Sequence, residues 1–185
     1  MSEAPVIAAF DIATKTGVCW GRVGCDKPQL ATWDMHLAGE MRRARFSLFF
    51  EYCREFFQDE QIDQLWYESP MMLGAMHQVG ASEETISLLR GLIAVLELMA
   101  YRSGIAHVEA FTVQAARKHL TGTGTFKNTR SNPKAGKAAV MRVCEMLRIP
   151  ATNDNEADAF AGWSYACGLA NPRIAHLVTP LFAGG

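Results

Sequence analysis

Residues 5–23 read PVIAAFDIATKTGVCWGRV. The mostly apolar run PVIAAFDI is typical of a strand that is buried on both faces and ends at Asp11. A short turn, ATKTG, leads into VCWGRV, and LATWDMHL follows after GCDKPQ, so we predict three strands joined as in a meander. Binding and catalytic sites of α/β proteins form at the ends of sheet strands. Asp11 is therefore a candidate site residue, although turn or capping roles are commoner for such an aspartate.

The composition indicates one globular domain. The chain has 185 residues, of which 49% are hydrophobic, and a chain of this size buries about 70% of the surface exposed when unfolded. We predict one domain over residues 1–170 and a peripheral tail over 171–185. No apolar run reaches the ~20 residues of a membrane span and no signal-peptide pattern is found, so we expect a cytoplasmic protein without membrane contact. Five cysteines without CxxC spacing indicate reduced thiols, mostly in the core.

Helices and strands alternate after the meander. Apolar residues at helical spacing predict a helix from Arg42 to Phe57, and QLWYESP predicts a short central strand that ends at Glu68. The remaining predicted elements are a helix from Ser82 to about Arg102 with Ile86, Leu89, Ile93, Leu96 and Met99 on one side, a strand in AHVEAFT, a helix in VQAARKHL, a loop over 121–136, a helix in KAAVMRVCEMLRI, and a last helix from near Asn155 to about Leu169. The fold class is α/β, a mixed sheet of about five strands flanked by helices.

The last predicted helix opens with an acidic cluster in the stretch NDNEADAFAGW, residues 153–163. Carboxylates near a helix N-terminus are stabilised by the macrodipole, and Asn153 or Asp154 is the predicted N-cap. Asp154 and Asp158, however, lie one turn apart on one face, where like charges oppose folding by about 0.2–0.5 kcal/mol. A cation bound between them would reverse that sign, so the cluster has both a capping interpretation and a metal-binding one.

Positive charge is concentrated in residues 117–148. This segment has eight lysines and arginines against the single acidic residue Glu145, whereas the whole chain has a net charge of −1. The basic residues surround the Gly- and Thr-rich loop TGTGTFKNTRSNPKAGK. A solvated surface is the commoner reason for such a run, but the combination with the loop favours an anionic partner such as backbone phosphate.

Five motifs occur in an order that resembles the RNase H-like nuclease superfamily, and within it the RuvC-type Holliday junction resolvases with their bacteriophage relatives. The motifs are FDIATKTGVCWG, YESP, LLRGLIAVLELMA, LTGTGTFKNTRSNPKAGKAAVMRV and NEADAFAGW. The likeness spans about residues 5–170. It implies an RNase H-like mixed sheet, and it matches Asp11, Glu68 and Asp158 to the catalytic carboxylates of the family.

The resemblance also implies a magnesium-dependent reaction, with Mn²⁺ as the usual substitute. Phosphodiester hydrolysis by two metals suits hard carboxylate oxygens. In this interpretation Asp11 bridges the metals, Glu68 and Asp158 hold one each, and Asp154 completes the second. The family usually has Asp or His three residues before its last Asp, and this chain has Asn155 there. Asp154 and Asn155 therefore both remain candidates for the fourth ligand, and Asp154 is preferred.

The implied partner is branched DNA, above all a four-way junction, bound by a homodimer, because two symmetric nicks need two sites related by a two-fold axis. Phosphate contacts are predicted for the basic residues Lys127, Arg130, Lys134 and Lys137. Phe126 and the run Met71, Met72 and Leu73 are candidate wedges between bases, with ordinary local packing as the alternative. His77 and His119 are predicted surface or packing residues.

The predicted function is that of a magnesium-dependent, structure-selective endonuclease that nicks branched DNA in a bacterial cell or a phage-infected host. One alternative is a related nuclease acting on RNA/DNA hybrids or other branched DNA, and another is a non-catalytic junction-binding protein. A third is a sugar-kinase or actin-like ATPase, since DIATKTG also resembles their phosphate loop. Those proteins need a second domain and a second Gly-rich loop, for which 185 residues leave no room.

Overall fold

The structure is a computed structural model that describes residues 3–39, 41–69, 82–127 and 134–171. Its strands are β1 (Val6–Asp11), β2 (Lys15–Arg22), β3 (Gln29–Asp34), β4 (Gln64–Glu68) and β5 (His107–Phe111). Its α-helices are α1 (Arg42–Asp59), α2 (Glu83–Arg102), α3 (Val113–Thr121), α4 (Ala135–Leu147) and α5 (Asp154–Ala170). The predicted α/β fold, a mixed five-stranded sheet flanked by helices, is confirmed.

The sheet has the strand order β3-β2-β1-β4-β5. The first three strands form the predicted antiparallel meander, whereas β4 runs parallel to β1 and β5 runs parallel to β4. The central strand β1 therefore joins the antiparallel half to the parallel half. Asp11 ends this central strand opposite Gly17 of β2, and Glu68 ends the neighbouring strand β4.

Two hydrophobic cores lie on opposite faces of the sheet. Ile7 and Ala9 of β1 and Trp66 of β4 belong to the core under α3, α4 and α5. The residues that alternate with them along the same two strands belong to the core under α1 and α2. Successive side chains of a strand point to opposite faces, so Asp11 and Glu68 continue the first set. The alternation alone places both carboxylates on the face that α5 covers.

Some boundaries differ from the predictions. Strand β2 begins three residues earlier than VCWGRV, and β3 stops at Asp34, whose carboxylate accepts a hydrogen bond from the His36 backbone N–H and starts a short 3₁₀ turn, Met35–Ala38. On α2, Leu88 and Leu92 are buried where Leu89 and Ile93 were predicted, and the latter two are only partly buried. Apolar residues cover so much of α2 that periodicity cannot select the side that meets the sheet.

The remaining predictions of this kind concern thiols, the tail and the membrane. All five cysteines are free, and all but Cys25 are buried, as predicted. Residues 172–185 of the predicted tail lie outside the described residues, so the 1–170 boundary stays a prediction. None of the helices in the described ranges has the length and apolar character needed to cross a bilayer.

Candidate active site

Asp11 and Glu68 form the part of the site that the sheet supplies. They follow the register pair Phe10 and Tyr67 on adjacent parallel strands, and their side chains are hydrogen-bonded to each other. Burial raises the pKa of Asp11 well above its usual range, and the charges of Glu68 and Asp158 raise it further. Burial also raises the pKa of Glu68. The pair therefore tends to retain a proton, because two buried carboxylates in contact cannot both ionise without a cation.

The Thr16–Gly17 pair brings α5 to this edge of the sheet. Thr16 is fully buried, and its hydroxyl donates to the carbonyl of Ala13 at 2.8 Å, which closes the turn between β1 and β2. A Cβ atom at Gly17 would lie 2.0 Å from the carbonyl oxygen of Asn155. Only glycine therefore allows the first turn of α5 to rest on β2, directly beside the strand partner of Gly17, Asp11.

The start of α5 is anchored by a second set of polar contacts. Asn153 is the N-cap, and its side chain accepts hydrogen bonds from the backbone N–H groups of Asn155 and Glu156, at 3.0 and 3.1 Å. The buried carboxylate of Glu156 accepts from Thr152, through its backbone N–H at 2.7 Å and its hydroxyl at 2.9 Å, and from the Thr32 hydroxyl at 2.9 Å. Glu156 thus ties α5 to β3 and is not directed to the site.

Asp158 is the residue of α5 that lies close to the two strand carboxylates, since its charge adds to burial in raising the pKa of both. Its side chain is only 5% exposed, and both of its oxygens are occupied by cationic groups. The guanidinium of Arg117 on α3 donates from Nε to Oδ1 at 3.2 Å and from Nη2 to Oδ1 and Oδ2 at 3.1 and 3.0 Å. The ammonium group of Lys137 on α4 lies 3.7 Å from Oδ2. The structure therefore assembles Asp11, Glu68 and Asp158 with two basic side chains.

Asp154 lies one turn before Asp158, and its side chain is more exposed than that of Asp158. We call this outer side of the carboxylate group, at Asp154 and Lys134, the rim. Its carboxylate pairs with Lys137 at 3.0 Å and with Lys134 at 3.7 Å. The hydrogen bond from Lys137 holds the pKa of Asp154 below its usual value. Partial burial opposes the charged form of Lys137, but Asp154 and Asp158 outweigh it and raise the pKa of that lysine. Asp154 is thus bound on the outer side of Lys137, and its role as fourth ligand stays a prediction.

Two of the predicted DNA contacts, Lys134 and Lys137, pair with Asp154 at this rim. Lys127 is exposed, and the side chain of Lys134 is 74% exposed, whereas Lys137 is directed to the carboxylates. Arg130, the run Met71, Met72 and Leu73, and His77 are outside the described residues. Phe126 is partly buried against α4, close to Gly136, and so is packed locally. His119 packs on Tyr165, and burial lowers the pKa of its imidazole.

Arg117 is the site residue that the sequence analysis missed. It was counted only as one of eight basic residues in its segment. A signal was present, because Arg117 lies between the buried Ala116 and the buried Leu120 on α3 and so borders the buried face of that helix. The partner, Asp158, lies 41 positions away, and only the packing of α3 against α5 identifies it.

The three inner carboxylates, Asp11, Glu68 and Asp158, are chemically suited to bind a divalent cation, but their present arrangement is not that of a complete metal site. Within residues 3–39, 41–69, 82–127 and 134–171, no three Asp, Glu, His or Cys side chains form a group that would hold a metal ion as they stand. The hydrogen-bonded Asp11–Glu68 pair, with Asp158 close enough to raise the pKa of both, is nevertheless a set of hard oxygen donors. Mg²⁺ prefers such a set.

Comparisons with known proteins identify the fold. No protein-family model matches the chain, and no curated protein matches it in sequence. Among solved structures, Thermus thermophilus RuvC superposes with a TM-score of 0.63 at 15% identity over 91% of this chain and 96% of that one. The same protein in complex with a Holliday junction substrate gives 0.57 at 14% identity over 85% and 90%. The yeast mitochondrial Holliday junction resolvase Ydc2 gives 0.60 at 9% identity over 98% and 87%. At these identities the comparison establishes the fold.

Proposed function

Because the chain has the fold of the RuvC-type Holliday junction resolvases, we propose that it is a divalent-metal-dependent nuclease that nicks branched DNA, with four-way junctions as the preferred substrate. The observation that carries the proposal is the meeting of Asp11, Glu68 and Asp158 at one edge of the sheet. One structural neighbour, Thermus thermophilus RuvC, has been solved in complex with a Holliday junction substrate, which supports the choice of DNA.

The residues have distinct roles in this proposal. Asp11 ends the central strand, is hydrogen-bonded to Glu68 and has its pKa raised by burial and further by the charge of Asp158, so Asp11, Glu68 and Asp158 would together hold the cations, with Asp11 as the central ligand. Mg²⁺, or Mn²⁺ in its place, supplies water activation and neutralises charge on the attacking and leaving oxygens. Asp11 and Glu68 must release the proton that they share before they act as ligands, since both have raised pKa values. Asp154 is the proposed fourth ligand, and Asn155 remains its rival.

Two exposed lysines, Lys127 and Lys134, which we call the basic rim, are proposed to position the DNA. Lysine contacts phosphate as a point charge and reads no sequence, so the substrate would be selected mainly by its branched shape. Both lysines are exposed, and Lys134 pairs with Asp154 at 3.7 Å, so they suit this role. Cutting a junction on two strands would need two copies of the chain related by a two-fold axis, and a homodimer is part of the proposal.

The rim is tested with the double variant Lys127→Ala and Lys134→Ala. We expect weaker junction binding and a salt dependence that is flatter by about 0.9 log units for each lost phosphate contact. Binding would be measured by fluorescence anisotropy over a range of salt concentrations. The double variant Lys27→Ala and Arg102→Ala, with exposed side chains outside residues 117–148, is a charge-matched control. A slope equal to that of the wild type would remove the two rim lysines from the DNA interface.

The function itself is tested by a cleavage panel. The protein is incubated with Mg²⁺ and with four-way, flap, RNA/DNA hybrid and linear substrates, and Asp11→Asn is run beside it. We expect paired nicks on the four-way junction and none from the variant. Preferential cleavage of the hybrid would favour the alternative nuclease. Junction binding without any metal-dependent cleavage would favour the non-catalytic binder and would contradict the proposal.

A further inference from the structure

Arg117 is hydrogen-bonded to the carboxylate of Asp158, which the proposed reaction needs as a metal ligand. Its three donor contacts to Asp158 are all between 3.0 and 3.2 Å, and the two side chains are 18% and 5% exposed. A bidentate guanidinium uses both carboxylate oxygens in a fixed geometry. A cation at Asp158 and Arg117 in its present position would therefore compete for the same lone pairs.

The position of Arg117 is built into the packing of the helices. A Cβ at Gly136 of α4 would lie 2.7 Å from Nη1 of Arg117, so glycine leaves the space that the guanidinium fills. The charge of Arg117 also reaches Glu68, whose pKa it lowers against the stronger effect of burial. Arg117 thus pairs with Asp158 directly and acts electrostatically on Glu68, two of the three inner carboxylates.

We propose that Arg117 is a positioning residue that serves as the counterion of Asp158 in the metal-free protein and competes with the divalent cation for that carboxylate. This inference rests on the proposed metal-dependent function. Without Arg117, the buried Asp158 would repel Asp11 and Glu68, and a buried charge that has lost its partner is strongly destabilising. With Arg117 in place the metal-free site is stable, and metal binding must first break the bidentate contact.

A competing role and a purely structural role of Arg117 predict opposite changes in metal affinity when the residue is replaced. Loss of a residue that merely supports the site would weaken metal binding, because the ligands would be less well placed. Loss of a competitor would strengthen it. We expect Arg117→Gln to bind Mn²⁺ about tenfold or more tightly than the wild type, the factor for one charge-assisted hydrogen bond that no longer has to be broken.

Mn²⁺ affinity would be measured by isothermal titration calorimetry on the DNA-free protein, with thermal melts in chelator and in saturating Mn²⁺. Arg117→Gln should melt at a lower temperature than the wild type in chelator and should gain more from Mn²⁺. Arg117→Lys keeps the charge but loses the bidentate geometry, so an intermediate affinity is expected even if the glutamine variant does not fold. Lys118→Gln makes the same charge change at the adjacent exposed position of α3 and should match the wild type.

Asp158→Asn separates failure of this inference from failure of the proposed function. If Asp158→Asn weakens Mn²⁺ binding while both Arg117 variants bind it no more tightly than the wild type, the metal site stands and the competition is disproved. If Asp158→Asn binds Mn²⁺ as the wild type does, Asp158 is no ligand, and the proposed metal site and the inference fall together.

Discussion

The strand carboxylates and the helix carboxylates of the site are balanced in different ways. Asp11 and Glu68 are hydrogen-bonded to each other, and burial raises both pKa values. On α5, by contrast, Asp158 is held by Arg117, and Asp154 is held by Lys137 with a lowered pKa. The strand carboxylates therefore tend to keep a proton in place of a cation, whereas the helix carboxylates are neutralised by basic side chains of the protein.

This difference shows how four acidic residues can be gathered without the help of a bound cation. Uncompensated carboxylates in a buried site would oppose folding. The chain avoids this by protonation on the sheet side and by basic side chains from α3 and α4 on the helix side. The proposed metal binding would have to undo both arrangements, so substitutions on the two sides are expected to have different and partly opposite effects.

The largest expected effect is on catalysis. Asp11→Asn removes the central carboxylate and should lower single-turnover cleavage of a four-way junction by about three orders of magnitude or more, while junction binding changes only a few-fold. Cleavage gels and gel shifts on the same preparation test this. The matched control is Glu156→Gln, because Glu156 is also a buried carboxylate but is bound by threonines. Equal loss of cleavage and binding in Asp11→Asn would indicate a structural role for Asp11.

The next effect concerns the contact that brings the two halves together. Gly17→Ala would place a Cβ 2.0 Å from a backbone oxygen of α5, which cannot move without the helix. We expect the free energy of unfolding to fall by about 3 kcal/mol or more. Gly21→Ala on the same strand is the control, because its nearest atom, at 2.9 Å, is the side-chain sulfur of Cys25. Urea unfolding of the two variants measures the difference, and equal losses would contradict the close approach.

A third effect distinguishes the candidates for the fourth ligand. If Asp154 binds metal, Asp154→Asn should reduce magnesium-dependent turnover by about two orders of magnitude, and Asn155→Asp should do little. If Asn155 is the ligand, its change to Asp should instead tighten metal binding. Asn153→Ala is the control for helix capping, since Asn153 is the observed N-cap and its loss lowers stability by about 1 kcal/mol. Metal titrations of cleavage, with thermal melts, tell the cases apart.

The smallest effect is a pH dependence of stability with opposite signs for the two halves. The raised pKa values of Asp11 and Glu68 mean that the folded protein binds protons more tightly than the unfolded one. Stability of the metal-free protein should therefore fall as pH rises through those values, by up to ~1.4 kcal/mol per pH unit for each extra proton bound. Asp154, with its lowered pKa, works in the opposite direction and favours folding at higher pH.

Urea unfolding in chelator at a series of pH values measures this dependence. Asp11→Asn should flatten the fall in stability, and Asp154→Asn should steepen it at the acidic end. Saturating Mg²⁺ should reverse the trend in the wild type, because metal binding needs the deprotonated pair. If stability of the metal-free wild type instead rose steadily with pH, the strand carboxylates would not share a proton.

Much of the fold followed from local patterns. The alternation along β1 and β4 and the apolar spacing of α1 depend on neighbouring residues, so the strand ends at Asp11 and Glu68 could be read from the sequence. The helix predicted to begin at Ser82 is α2, and Ser82 is its N-cap, whose side chain accepts a hydrogen bond from the Thr85 backbone N–H. The closing helix was predicted to begin near Asn155 and begins at Asp154.

The roles within the acidic cluster were decided by the tertiary structure. The sequence placed Asp154, Glu156 and Asp158 at the start of one helix and, through helical spacing and the family resemblance, singled out Asp154 and Asp158, but it did not show what each carboxylate contacts. Burial against β3 makes Glu156 an anchor, and the approach of α3 gives Asp158 its partner, Arg117. Periodicity describes how a segment is built, whereas an ion pair between residues 41 positions apart depends on how separate helices pack. That packing depends on distances of a few ångströms at glycines, which no local pattern encodes.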